Sequence, residues 1–304
     1  MGDVLLKAFG FVFIIIAGIV FRRIGLFHKD DDRILSKIVL NFTLPCSVIN
    51  AFSGFDMELS LLGVVALGIL TNLALSFFGK AMAGKNREQQ AFNYINYSGF
   101  NIGCFTMPFV QSFLGSFGVA VTCLFDTGNA IMCTGATYAI ASGLVGGEKQ
   151  SFKAFLKKAF SSAPFVSYLV MLVLSLFHFR FPDPVYQVTS AVAQANAFLC
   201  MFMIGLMFEV HLSRSQVLAV VKTLSLRLLL CCAMALAIYF LLPFGAAVKQ
   251  VLVLVCFSPV SAMGPVFTDR LHLDKGLAGV INSISIPISV LILTGILLLW
   301  PPVA

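Results

Sequence analysis

Residues 93–110 read NYINYSGFNIGCFTMPFV, and residues 255–267 read VCFSPVSAMGPVF. Both stretches are apolar enough for the middle of a transmembrane helix. Yet Gly99, Asn101, Gly103 and Pro108 interrupt the first, and Pro259, Gly264 and Pro265 interrupt the second. Unwinding a helix inside a bilayer frees backbone N–H and C=O groups that only a polar cavity or a ligand can satisfy. Two such interrupted spans, at corresponding places in two halves of a chain, point to the binding site of a secondary transporter.

Composition agrees with a bilayer. Of 304 residues, 59% are hydrophobic and 11% are charged, and the mean hydropathy is +0.98; a soluble domain carries roughly a quarter charged residues. The length accommodates about ten spans of roughly 20 residues with short loops, and no separate soluble domain. The opening run, 4–20, is followed by Arg22 and Arg23 and shows no small-residue cleavage site, so it reads as a retained span and not a signal peptide. The eight cysteines all fall in apolar segments without metal-ligand spacing, and they read as small hydrophobes in helix packing.

Cutting the apolar runs at charge and turn clusters predicts an all-α integral membrane protein with spans near 4–24, 33–53, 59–80, 89–114, 117–143, 157–179, 185–210, 216–242, 248–269 and 276–299. All but three of the 20 Lys and Arg residues fall between odd and even spans, the exceptions being Lys7, Arg180 and Lys249. The positive-inside rule then puts those loops in the cytoplasm and both termini outside the cytoplasmic membrane. The net charge of +7 is thereby a set of topology signals and lipid contacts, not a nucleic-acid footprint.

The interruptions fall in spans four and nine, which divides the chain five plus five. An odd repeat unit must enter the membrane in opposite senses, so the expectation is two inverted repeats: 1–146, a short cytoplasmic linker 147–156, and 157–304. Asn101 lies 14 residues from both Arg87 and Gly115, which at about 1.5 Å per residue sets the break near the midplane. Pro259 is similarly central.

The half-helix N-termini at such breaks each carry about half a positive charge. With no Lys or Arg expected at that depth, a carboxylate there is held by dipoles, free N–H groups and side-chain amides or hydroxyls. The candidates are Asn101, Ser258 and Ser261, on backbone opened by Gly99, Gly103, Pro259 and Gly264. Interhelical hydrogen bonding is the competing reading of the three side chains.

Asp126, in CLFDTGNAIMC at 123–133, lies about 15 Å inside the fifth span. A carboxyl at that depth must be protonated, paired or facing water. One that is neutral when dry and ionised when its cavity opens is what proton coupling needs, and Asn129, one turn on, shares its hydrogen bonds or lines its cavity. Asn282 and Ser285, ahead of Pro287, are further polar candidates. Glu209, beside His211 and Arg214, reads as a surface charge.

Catalysis is not expected: no His or Lys at midplane depth activates a serine, and no metal-binding motif is present. No cofactor or metal is expected either. A channel calls for a continuous polar stripe, whereas these features converge on one point. A sodium-coupled carrier or cation/proton antiporter built on Asp126 is the alternative within the same architecture.

Together, NFTLPCSVINAF (41–52), GFNIGCFTMPFV (99–110), MFMIGLMF (201–208), FSPVSAMGPVF (257–267) and INSISIPISVL (281–291) resemble the auxin efflux carrier family of membrane transport proteins, over nearly the whole chain. That family includes plant auxin exporters and bacterial malate and malonate permeases. The resemblance implies a scaffold part and a transport part, with helices four and nine crossing as in the related bile-acid and sodium/proton carriers. It implies a small organic anion as substrate, a proton or sodium ion as the coupling candidate, and a homodimer through the scaffold helices. It further implies that Asn41 and Pro45 face the substrate from the scaffold side; the residues alone read equally well as a proline kink with a hydrogen-bonding Asn. In the auxin exporters a proline precedes the crossover asparagine, where this chain has Phe100. Their long central loop is here about a dozen residues around GGEKQSF (146–152).

Overall fold

A computed structural model of the chain describes residues 2–28, 31–146, 151–209 and 213–302, and those residues are mostly helical, with no strand among them. The order is α1 (Gly2–Arg23), α2 (Asp31–Ile38), a π-helical turn Val39–Thr43, α3 (Leu44–Ala51), α4 (Leu62–Ala81), α5 (Arg87–Tyr97), a π-helical turn Ile102–Thr106, and α6 (Met107–Ile131). A third π-helical turn, Met132–Ala136, leads into α7 (Thr137–Leu144), α8 (Phe152–Phe160), α9 (Ala163–Leu176), α10 (Asp183–Met207), α11 (Arg214–Leu241), α12 (Ala246–Cys256), α13 (Met263–Arg270) and α14 (Lys275–Leu299). Two of the π-helical turns stand just ahead of a proline, Pro45 and Pro108. A proline has no N–H for the carbonyl four residues back, and the helix widens where that bond is missing.

Seven helical runs are long and apolar enough to cross a bilayer, among them Ile102–Leu144 at 43 residues. That run is not straight. Gly115 leaves helical conformation at φ 62° and ψ −158°, and Asn129 bonds both the N–H and the C=O of Phe100. A continuous helix would hold residues 29 apart at about 40 Å, so the chain doubles back at Gly115.

The tightest contacts are made by small residues. Gly68 of α4 meets Gly128 of α6 and Gly18 of α1 meets Gly205 of α10, and a methyl at any of the four would strike a backbone oxygen of the facing helix. Such close approach is how helices associate where lipid removes the hydrophobic incentive. The main apolar core joins α3, α4, α6, α9 and α12 around residues such as Leu44, Val64, Phe125, Tyr168 and Val255.

Several sequence expectations need correction or completion. Cys232 is exposed, and Cys104 and Cys133 are half-buried, so helix packing accounts for only five of the eight cysteines. Of the expected linker, 147–150 lie outside the described residues, and α8 begins at Phe152. His211 also lies outside them, while Glu209 makes an ion pair with Arg22 of α1 at 3.6 Å. The largest correction concerns Arg227. Its assignment to a cytoplasmic loop does not hold: it sits midway along α11, 4% exposed.

Candidate functional site

α5 ends at Tyr97 because Ser98 is extended and Gly99 takes φ 76°, a left-handed value that glycine adopts without strain. The second break follows α12, where Pro259 brings no N–H. The two breaks meet. Phe100 and Val260 form an isolated antiparallel bridge, and Asn101 N–H donates to Pro259 O at 2.9 Å.

Each bridge residue is bracketed by side chains from another helix. The Asn129 amide accepts from Phe100 N at 3.1 Å and donates to Phe100 O at 3.0 Å. Across the bridge, Ser285 accepts from Val260 N at 3.0 Å and Asn282 donates to Val260 O at 2.7 Å. Asn129 also donates to Asp126 Oδ1 at 2.7 Å. Asn72 of α4 accepts from Gly99 N at 2.7 Å and donates to Asn129 Oδ1 at 3.1 Å. Arg227 donates to Tyr97 O and, at 2.9 Å, to Gly99 O, with its guanidinium carbon 5.0 Å from the Phe100 ring centre. The backbone freed by unwinding is thus satisfied by buried side chains, as a low-dielectric setting demands.

A cavity of about 630 Å³ opens beside the bridge, within the range of small-molecule sites. Its polar residues include Asn101, Asp126, Asn129, Ser261 and Asn282, and its apolar wall includes Leu44, Phe165, Met203 and Ile286. Asp126 is 6% exposed, and no Lys or Arg pairs with it among the described residues. Gly103 leaves room for it: a Cβ there would lie 3.3 Å from Tyr168 Oη and 3.8 Å from Asp126 Oδ2. Lys158 of α8 also lines this cavity, its Nζ 4.9 Å over the Phe267 ring.

The predicted site residues divide by position. Asn101, Gly103, Ser261, Asp126 and Asn129 line the large cavity. Gly99, Pro259 and Gly264 belong to the breaks but not to its wall; Gly99 and Gly264 face a small gap with Ser98 and Thr137. Ser258 accepts from Thr106 Oγ1 at 2.6 Å and lines a separate cavity of about 90 Å³ with Arg227, Ser285 and Ser289. Asn41 is exposed and donates to Lys37 O at 2.8 Å. Pro45 is half-buried at the start of α3, outside the cavity lining.

Sequence reading missed three residues of this assembly, Asn72, Tyr168 and Arg227. The signals were a lone amide in the fourth helix's apolar run, TNLALSFFG (71–79), and a cation 13 residues beyond Arg214 within a single apolar helix. The arrangement offers helix N-termini at Ile102 and Met263, the side chain of Asn101 and one carboxyl around a space of organic-molecule size; among the described residues it presents no nucleophile and base within bonding reach.

The family model described as membrane transport protein matches residues 4–297. No curated protein matches the chain.

Proposed function

The chain belongs to the auxin efflux carrier family of membrane transport proteins, a transporter family and not an enzyme family, and from that premise we propose that it carries a small organic anion by alternating access. The observation that carries this reading is the bridge Phe100–Val260 between two broken helices, set at the wall of a cavity that holds Asn101, Asp126 and Ser261. Two half-helix N-termini, each about half a positive charge, attract a carboxylate there. The apolar wall suits the carbon body of the anion.

The matching brackets support the inverted-repeat reading. Asn129 holds Phe100 as Asn282 and Ser285 hold Val260, the correspondence that a repeat of spans four and five in spans nine and ten calls for. Ten spans in two opposed sets of five place the bridge at the centre of the pseudo-symmetry, where an alternating-access site belongs. Asp126 is the proton-coupling group, its carboxyl exchanging a proton as the cavity opens to either side.

Uptake of malate, malonate and indole-3-acetate into proteoliposomes, with and without an inward proton gradient, tests the reading. Wild type takes up at least one of them, Asn101→Ala abolishes that uptake, and Asp126→Asn removes its response to the gradient. If folded protein ignores every anion while a sodium or pH gradient drives an Asp126-dependent cation flux, a cation carrier replaces this reading.

A further inference from the structure

Arg227 and Asp126 approach the same break from two different cavities. The guanidinium grips Tyr97 O and Gly99 O and lies against the Phe100 ring. The carboxyl reaches the Phe100 backbone through Asn129, which bonds Asp126 Oδ1 and both polar groups of Phe100. Neither ion has an opposite charge within pairing distance among the described residues. The groups around Asp126 are Cys133 and Tyr168, with Cys123 on its own helix and Cys104 and Lys158 on the same cavity wall, and those around Arg227 are Tyr97, Cys133, Cys231 and Cys256. None is a carboxylate.

Tyr97 closes α5, and a helix C-terminus carries about half a negative charge. A full positive charge on those carbonyls more than cancels it and leaves a surplus behind the break. A buried cation that is not met by an anion is costly. Building on the anion-carrier reading, we infer that Arg227 is the fixed positive charge behind the break, whose field favours one negative charge in the cavity: ionised Asp126 when the site is empty and the substrate's carboxylate when it is loaded.

Coupling follows from that alternation. An anion that displaces the ionised carboxyl from its role needs Asp126 protonated, so each substrate molecule enters with one proton drawn from water. Arg227 acts through the field it sets and through the backbone it holds, so it is a positioning residue. A residue serving structure alone would not link anion affinity to the state of Asp126.

The test is uptake of malonate and indole-3-acetate by proteoliposomes across a pH series, with proton entry read in parallel by a luminal dye. Wild type, Arg227→Lys, Arg227→Gln, Asp126→Asn and the double variant Arg227→Gln/Asp126→Asn are compared, each checked for monodispersity and melting temperature. In wild type one proton accompanies each molecule of the monocarboxylate. Arg227→Gln raises KM by about tenfold or more, while Arg227→Lys, which keeps the charge, stays within about threefold. The double variant regains part of the affinity lost in Arg227→Gln, because the uncompensated carboxylate is gone. Proton-free uptake of the monocarboxylate, a folded Arg227→Gln with wild-type KM, or a double variant no better than Arg227→Gln overturns the inference. Should Arg227→Gln not fold, a tenfold KM rise in folded Arg227→Lys overturns it equally. If wild type moves neither anion, the carrier reading itself falls and this inference with it.

Discussion

Asn129 holds both polar groups of the Phe100 backbone, accepting from its N–H at 3.1 Å and donating to its C=O at 3.0 Å, although the two residues are 29 apart in the chain. One amide side chain thereby does for a broken helix what a neighbouring turn does for an intact one. It also ties the break to Asp126 and to Asn72, so the polar centre is a single connected network.

Asn129→Ala strips two buried backbone groups of their partners at once. Each unsatisfied group costs about 1–3 kcal/mol, so a loss of about 2–5 kcal/mol is expected, read as a lowered melting temperature in detergent. Asn282→Ala is milder, about 1–3 kcal/mol, because Ser285 still accepts from Val260 N. Equal losses for the two variants would contradict the bracketing roles.

Gly99→Ala is expected to cost about 1–3 kcal/mol and to lower uptake. Its φ of 76° disfavours any side chain, and a Cβ there would press on the Ser261 side chain and Cys133 Sγ. Adding Ser261→Gly relieves the contact but not the backbone strain, so the pair regains part of the loss. Full recovery would show that strain at Gly99 is negligible.

Much of this was legible in the sequence because glycine and proline announce unwinding by simple chemistry. The interruptions at 99–108 and 259–265 mark where the helices end, and Asp126 stands out as a carboxyl deep in an apolar run. Hidden were the residues that act at a distance. Arg227 looked like a loop cation because Lys222 and Arg214 precede it, although the predicted span 216–242 already contained it, and α11 does run unbroken from Arg214 to Leu241. Asn72 and Tyr168 belong to helices whose rotation no single-sequence pattern sets. Asn41, by contrast, faces away from the cavity, since rotation about the helix axis decides which of several polar side chains points inward.

Asp126→Asn keeps the shape and both hydrogen-bonding positions while removing the titratable proton. In wild type, lowering the external pH raises carboxylate uptake by loading the proton that travels with it, and raising the pH lowers uptake. The variant is expected to transport at a rate nearly independent of pH, with uptake in the absence of a gradient reduced by about tenfold or less. A variant whose pH dependence matches wild type would move the coupling role to another group.

The contact between Gly68 and Gly128 brings α4 close enough to α6 for Asn72 to reach Asn129 at 3.1 Å. Gly128→Ala forces a methyl against Val65 O, so the helices must part by a few tenths of an ångström or more. Overpacking of this kind costs about 1–3 kcal/mol, and the widened gap also weakens the Asn72 bond, so uptake falls beyond what the stability loss explains. Gly279→Ala supplies the contrast. That glycine lies in α14 with nothing within 4 Å of a built Cβ, so alanine there is expected to leave stability unchanged or raise it by about 0.5–1 kcal/mol. Melting temperatures of the two variants, measured side by side, decide whether the effect at Gly128 comes from the helix contact: a similar small change at both positions would refute it.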